Sequence, residues 1–268
     1  MTRSRADLLK RIDDNGVTIL TLNEPSSINA LSEVMMAVLS EAFDEIATDR
    51  SVKAVVLRSA GDHFCAGHDL KEMTARRSDT DGGFQYILDL CATCSAMMQR
   101  VVHLPQPVIA EVRGIATAGG CQLVASCDLA AAAEDATFAT SGVNIGLFCS
   151  TPMVALSRNV PRKLAMEMLL LGEFLSAARV AEMGLINRVV PFEALKDTTM
   201  EMARTIADKS PAAIKIGKEA FYRQAEMELG AAYDYAGTVM AENMMARDAA
   251  AGIGAFIKKR SMPKWTGD

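Results

Sequence analysis

The sequence predicts an α/β fold built on a mostly parallel sheet and continued by helices. Three observations carry that expectation. In the first half of the chain, short apolar runs bounded by turn residues alternate with helical patterns, an order that calls for crossover connections and parallel pairing. From about residue 150 onward the pattern is almost wholly helical. Half of the 268 residues are hydrophobic, enough to bury a sizeable core in one large domain, or in one domain with a helical appendage.

The elements follow in order. "LLKRIDDNGVTILTLN" reads as two short strands around the turn Asp14-Asn15-Gly16. Ser32 is the expected N-cap of a helix whose apolar face is Met35, Val38, Leu39, Ala42 and Ile46. "KAVVLRS" is a buried strand, residues 84–102 are helical, and Pro105 and Pro107 punctuate the exit before the strand "PVIAEVRG". "GIATAGGCQLVASCDLAAAAE" then runs through a loop, a helix and another strand. Further on, Ser210 and Pro211 open a helix as N-cap and first helical residue. A longer helix carries Met240, Met244 and Met245, a pattern for core or subunit interface.

Composition excludes several classes. The net charge is −5 with no basic stripe, which argues against nucleic acid. No apolar run is long enough for a bilayer, and "MTRSRADLLKRIDD" lacks a signal core. The expected location is the cytoplasm, or the mitochondrial matrix if a transit peptide has been removed. The six cysteines are then expected to be reduced. Cys91 and Cys94 form a CxxC, but with Ile87 and Met98 they follow a helical core stripe. None of the three histidines pairs with a cysteine at zinc-finger spacing, so no metal is expected. No Rossmann glycine fingerprint follows the first strand, and "TAGGCQ" lacks the Gly-Lys-Ser/Thr of a P-loop.

Two loops carry the chemistry. Ala66-Gly67-His68-Asp69 and Gly114–Gly120 each follow a strand and precede a helix. Glycine permits close backbone approach, and N–H groups at helix starts lack partners. Each loop is either a tight turn or, if two such N–H groups converge, half of an oxyanion hole.

Over nearly its whole length the chain resembles the enoyl-CoA hydratase/isomerase (crotonase) superfamily. The segments that carry the resemblance are "SINALS", "FCAGHDLKEM", "PVIAEVRGIATAGGCQLVASCDLAAAAEDATFA", "LLLGEFLSAARVAEMGLINRVVP" and "AFIKKR". It implies a spiral of ββα turns over residues 1–195, holding an acyl-CoA site. Residues 196–268 would be a helical C-terminal region for trimerisation and CoA contact. The partners implied are an acyl-CoA thioester and copies of the chain itself, in a homotrimer or a hexamer built from two trimers. No cofactor beyond the CoA moiety and no membrane is implied.

By motif, the backbone N–H groups of His68 and Gly119 would hold the thioester oxygen and stabilise an enolate. Ala66, His68, Asp69, Leu70 and Lys71 would flank the CoA, with Lys71 near its phosphates. Lys259 and Arg260 match a C-terminal basic pair that approaches CoA. Glu24 stands where the family often has a basic residue. Asp69 would cap the next helix, and Asp128 would be structural.

The pattern breaks at the proton-moving residues. Hydratases of this family resemble one another in two glutamates, and here the corresponding positions are Gln122 and Gly142. A neutral amide cannot take a proton, and glycine offers no side chain, so standard hydration is expected to fail. Asn144, the His68 ring, Ser150 and Cys121 are the nearby groups to weigh as substitutes, Cys121 reading better as a core thiol. The expectation is an acyl-CoA enzyme of the hydratase/isomerase type that keeps the enolate-stabilising half of the site. The alternatives are a decarboxylase, a thioester hydrolase, or a catalytically silent acyl-CoA binder or regulatory partner.

Overall fold

The computed structural model describes residues 5–268; residues 1–4 of the polar N-terminal segment lie outside that description. A short helix α1 (Arg5–Leu8) leads into the hairpin β1 (Leu9–Asp14) and β2 (Val17–Leu22). Its turn holds Asn15 at φ 50° and Gly16 at φ 86°, left-handed values that a two-residue hairpin requires. Next come α2 (Glu33–Thr48), β3 (Ala54–Ser59), α3 (Leu70–Ala75), α4 (Phe84–His103), β4 (Val108–Val112), β5 (Ile115–Thr117), α5 (Gly119–Ser126), β6 (Leu129–Ala133) and β7 (Thr137–Ala139). Beyond a 3-10 turn at Ser141–Ile145 lie α6 (Pro152–Asn159), α7 (Arg162–Leu171), β8 (Leu175–Ser176), α8 (Ala177–Glu182) and β9 (Arg188–Val190). Four helices finish the chain: α9 (Phe192–Ala207), α10 (Pro211–Gln224), α11 (Leu229–Met245) and α12 (Arg247–Ile257).

The main sheet has six strands in the order β1-β2-β3-β4-β6-β9. Only the β1–β2 hairpin is antiparallel; the other four pairings are parallel. A second sheet, β5-β7-β8, stands beside it. Strand β3 is buried on both faces, which explains why it reads as a continuous apolar run. One face points Leu20, Leu57 and Ala110 at a core shared with Leu39 of α2 and Met97 of α4. The other points Ile19, Val56 and Ile109 at Met200 and Ala203 of α9.

That second core lies across the expected division of the chain. A division between residues 195 and 196 cuts through α9, whose buried Leu195, Met200, Met202 and Ala203 cover the sheet. The helices that bury little of themselves begin at α10. Helix α10 is capped by Ser210, which accepts from the Ala213 N–H, and has Pro211 at its start. Asp128 anchors it to the core by accepting from Lys218 Nζ at 2.7 Å and from the Tyr222 hydroxyl at 3.0 Å. Ser32 caps α2 through the Met35 N–H. Cys94 is buried and Cys91 half-buried, both as free thiols. No helix among the described residues is long and apolar enough to cross a membrane.

Candidate active site

The site is built from the backbone. Past the end of β3, residues 64–68 run between two neighbouring segments. The Phe64 and Cys65 N–H groups donate to Ile115 O, and the Thr117 N–H donates to Cys65 O. On the other side the Ala66 N–H donates to Ile28 O, and the Leu31 N–H to Gly67 O at 2.8 Å. This clamp delivers His68 to the start of α5. Gly67 sits at φ +87°, and a Cβ there would come within 2.8 Å of Gly119 N. A Cβ on Gly119 would lie 3.3 Å from Gly67 Cα and 3.7 Å from His68 N. The two loops therefore meet backbone to backbone, and no hydrogen bond among the described residues uses the N–H of His68 or of Gly119.

Ala118 sets the peptide that carries the second donor. Its φ of 49° and ψ of −118° are values that a residue with a side chain seldom adopts, a strain on the order of 1–3 kcal/mol. It is held there by its N–H, which donates to Ala139 O at 3.0 Å.

Both donors border a cavity of about 570 Å³, a volume suited to a small-molecule ligand. Ala66, His68, Asp69, Leu70, Lys71 and Gly119 form one wall. Met73, Cys91 and much of the segment from Ser141 to Pro152 line other parts of it, and the wall is mostly apolar. Asp69 caps α3 by accepting from the Lys71 N–H at 2.7 Å, so its carboxylate is engaged locally. Lys71 and Leu70 are exposed beside it. His68 lines the cavity as a residue, but both nitrogens of its ring are buried rather than open to it. Burial lowers its pKa, against a smaller opposing effect of the Leu31 backbone, which favours the neutral imidazole.

Other residues singled out in the sequence fall elsewhere. Gln122 is buried one turn beyond Gly119 with its Oε1 unpartnered, and it is not in the cavity wall. Asn144 donates its amide to Gly172 O at 2.9 Å, which holds the loop to the end of α7, and it is not among the cavity-lining residues. Lys259 and Arg260 are exposed past α12, outside the wall of this chain's cavity. Ser150 lines the cavity, and its hydroxyl donates to Phe148 O at 3.3 Å. Cys121 is a core thiol whose burial pushes its pKa up to about 12.

Gly142 lines the cavity but has no room for a side chain. A Cβ there would stand 2.4 Å from Leu147 O and 2.9 Å from Cys149 Sγ. The absence of a glutamate is thus built into the loop's path. Sequence reasoning missed Cys149, Ser141 and Cys91 as wall residues. Ser141 shares a 2.9 Å hydrogen bond with the Thr117 hydroxyl, and Cys91 lies at the edge of a helix stripe read as core. Among the described residues no cluster of three or more His, Cys, Asp or Glu is placed to hold a metal ion.

A largely parallel sheet, a small companion sheet and two βα turns meeting through their backbones make up the crotonase fold. The chain belongs to the enoyl-CoA hydratase/isomerase family, which it matches over residues 13–268. It is 54% identical to an enoyl-CoA hydratase of Mycobacterium smegmatis, whose crystal structure superposes with a TM-score of 0.92 over 96% of this chain and 98% of that one. The crystal structure of human enoyl coenzyme A hydratase domain-containing protein 3 is 42% identical, with a TM-score of 0.91, covering 96% and 99% of the two chains. The Xenopus laevis mitochondrial protein of that name is 44% identical over 253 residues, which is 94% of this chain and 84% of the relative.

Proposed function

We propose that this chain binds an acyl-CoA thioester with its carbonyl oxygen between the N–H groups of His68 and Gly119, and acts on it through an enolate. The observation that carries the reading is the pair of adjacent backbone N–H groups, unused within the fold, at the wall of an apolar cavity. Donors already fixed in place stabilise the charge that develops on the thioester oxygen more than they stabilise the neutral ground state. Lys71, exposed at the same wall, supplies a point charge for a CoA phosphate. No cofactor beyond CoA is invoked.

Standard hydration is not part of this proposal. Gln122 and Gly142 offer no carboxylate, and Asp69, the one carboxylate of the cavity wall among the described residues, is engaged as a helix cap. The same observation favours, as a second reading, a binder or regulatory subunit that holds acyl-CoA without turning it over. Decarboxylation and thioester hydrolysis use the same oxyanion donors and stay within the enzyme reading.

A homotrimer, or a hexamer of two trimers, fits the C-terminal helices. Helix α11 buries none of its residues in the monomer and exposes Leu229, Tyr233, Met240 and Met245. The cytoplasm is the proposed compartment, and the names of the vertebrate relatives support the mitochondrial matrix as the alternative.

The test is to mix purified protein with crotonyl-CoA and follow the enoyl absorbance, alongside thermal shifts with a panel of CoA esters. The expected result is stabilisation by acyl-CoA with hydration far below the typical kcat of about 10 s⁻¹. Hydration near that value would refute the impaired-hydratase reading. No stabilisation by any ester would refute the ligand.

A further inference from the structure

Helix α3 brings two kinds of side chain to the cavity. Lys71 is exposed, whereas Met73, about 200° further round the helix axis, is half-buried and packs against the main core. The apolar side continues from Met73 to Cys91 of α4 and to Leu147 and Phe148 of the 141–150 loop. Leu147 and Phe148 are large apolar side chains left partly in water at a concave wall, an arrangement that a ligand's own apolar surface would cover. Cys91 is the smallest of the four side chains, so a larger residue there would take space from the cavity.

The polar side chains of the same wall are mostly engaged. Ser27 Oγ accepts from the Ala30 N–H, Ser141 is bonded to the Thr117 hydroxyl, Ser150 donates to Phe148 O, and Asp69 caps α3. Neither ring nitrogen of His68 is open to the cavity, and Thr151 adds only a neutral hydroxyl. Among the described residues Lys71 is the one cation of the wall, and the reading above assigns it to a CoA phosphate. An ionised group at the far end of an acyl chain would lose its water here and gain no counter-charge, which weakens binding.

We infer that the acyl group taken by this cavity is an unsubstituted hydrocarbon chain of medium length, laid along Met73, Cys91, Leu147 and Phe148, and that the side chain at position 91 sets how long a chain fits. The inference rests on the acyl-CoA reading above and names its substrate class. With the thioester oxygen at the His68 and Gly119 N–H groups and a CoA phosphate at Lys71, the hydrocarbon runs to the other side of α3. Each methylene buried against this wall raises affinity about fourfold. Acyl groups that end in a second carboxylate are rejected, because no unassigned cation meets them. Of the enzyme readings, decarboxylation is then the least favoured, since its substrate carries such a carboxylate.

The experiment measures the affinity of the full chain for acetyl-, butyryl-, hexanoyl-, octanoyl- and adipoyl-CoA by titration calorimetry. Affinity should rise about fourfold per methylene from acetyl to hexanoyl, and further to octanoyl. Adipoyl-CoA, as long as hexanoyl-CoA but ending in a carboxylate, should bind about tenfold more weakly than hexanoyl-CoA, or worse. Cys91→Phe should cut the ratio of octanoyl-CoA to acetyl-CoA affinity by about tenfold. Phe148→Ala, at a position 43% exposed, should lower the same ratio several-fold and carries the test if Cys91→Phe does not fold. Equal affinities from acetyl to octanoyl, adipoyl-CoA binding as tightly as hexanoyl-CoA, or an unchanged ratio in the folded variants would each overturn the inference while leaving the acyl-CoA reading in place. Binding of none of these esters would overturn both.

Discussion

The two walls of the cavity are built in opposite ways. The wall formed by residues 64–68 and the start of α5 is stitched on both sides by backbone hydrogen bonds, with Phe64, Cys65 and Ala116 fully buried. The wall formed by residues 141–150 exposes Ile145 at 61%, Leu147 at 47% and Phe148 at 43%. Its bonds are mostly short-range, such as the Leu147 N–H to Gly142 O, with Asn144 to Gly172 and Ser141 to Thr117 as outside ties. Donors placed as proposed for His68 and Gly119 work only when their positions are fixed before the charge appears, so under that proposal the wall should tolerate little change. Side chains that move protons or attack carbon can be exchanged on a loop while the scaffold stays as it is. One wall is held by its backbone and the other is presented by a loop.

The sharpest way to break this contrast is Gly67→Ala. The new Cβ would need φ +87° and would meet Gly119 N at 2.8 Å, both backbone constraints in a clamped segment. The strain alone costs about 1–3 kcal/mol. Displacing a donor should slow enolate-dependent exchange of acyl-CoA α-protons into deuterated water by about 10²–10³-fold. Unchanged exchange and an unchanged butyryl-CoA thermal shift would mean that the donors are not where ligand binds.

Gly142→Ala also meets a backbone oxygen, that of Leu147 at 2.4 Å, but without the added strain of a left-handed φ. Its cost in chemical denaturation should be smaller, on the order of 1 kcal/mol. Gln122→Glu needs no new volume and restores one carboxylate one turn from Gly119. It should raise crotonyl-CoA hydration by part of the 10²–10⁴-fold that a positioned acid–base group contributes. Adding Gly142→Glu should give no further gain, because the Leu147 carbonyl and the Cys149 thiol occupy its path. A large extra gain in the double variant would show that the loop re-forms readily around a side chain.

What was legible in the sequence depended on range. The caps at Ser32, Asp69 and Ser210 involve partners two or three residues away, so residue type and spacing were enough to find them. The meeting of the 64–68 loop with Gly119 was legible only as two glycine-bearing turns, because nothing local states that they touch. Helix α9 was readable as an amphipathic helix, but not that the sheet's second face was its destination, a fact carried by Ile19, Val56 and Ile109 far upstream. Cys91 sits at the helical spacing of a core stripe. It lines a cavity because a loop some 50 residues later leaves space beside it. The blocked volume at Gly142 was invisible for the same reason, since it depends on where residues 147 and 149 return.

The smallest expected effect tests whether the rigid wall carries a titrating group. Burial lowers the pKa of the His68 ring, against a smaller opposing effect of the Leu31 backbone, which favours the neutral form. The unfolded chain takes up a proton at its histidines near pH 6.5, while the folded chain does so at His68 only at lower pH. Between those two values the unfolded state binds more protons, so stability rises with pH across that window and falls on acidification through it. Above about pH 6.5 the penalty is absent. His68→Gln, which keeps the backbone N–H, should therefore flatten the fall in Tm below that pH. Asp248 does not blur the reading. Burial opposes its ionisation, but hydrogen bonds from Ser210, Thr266 and Gly267 hold its pKa down to about 2, so its contribution is lost only as pH falls from about 4 towards that value. If parent and His68→Gln lose stability in parallel between about pH 7 and 5, the ring is not buried as described. The clamped wall would then end at its backbone.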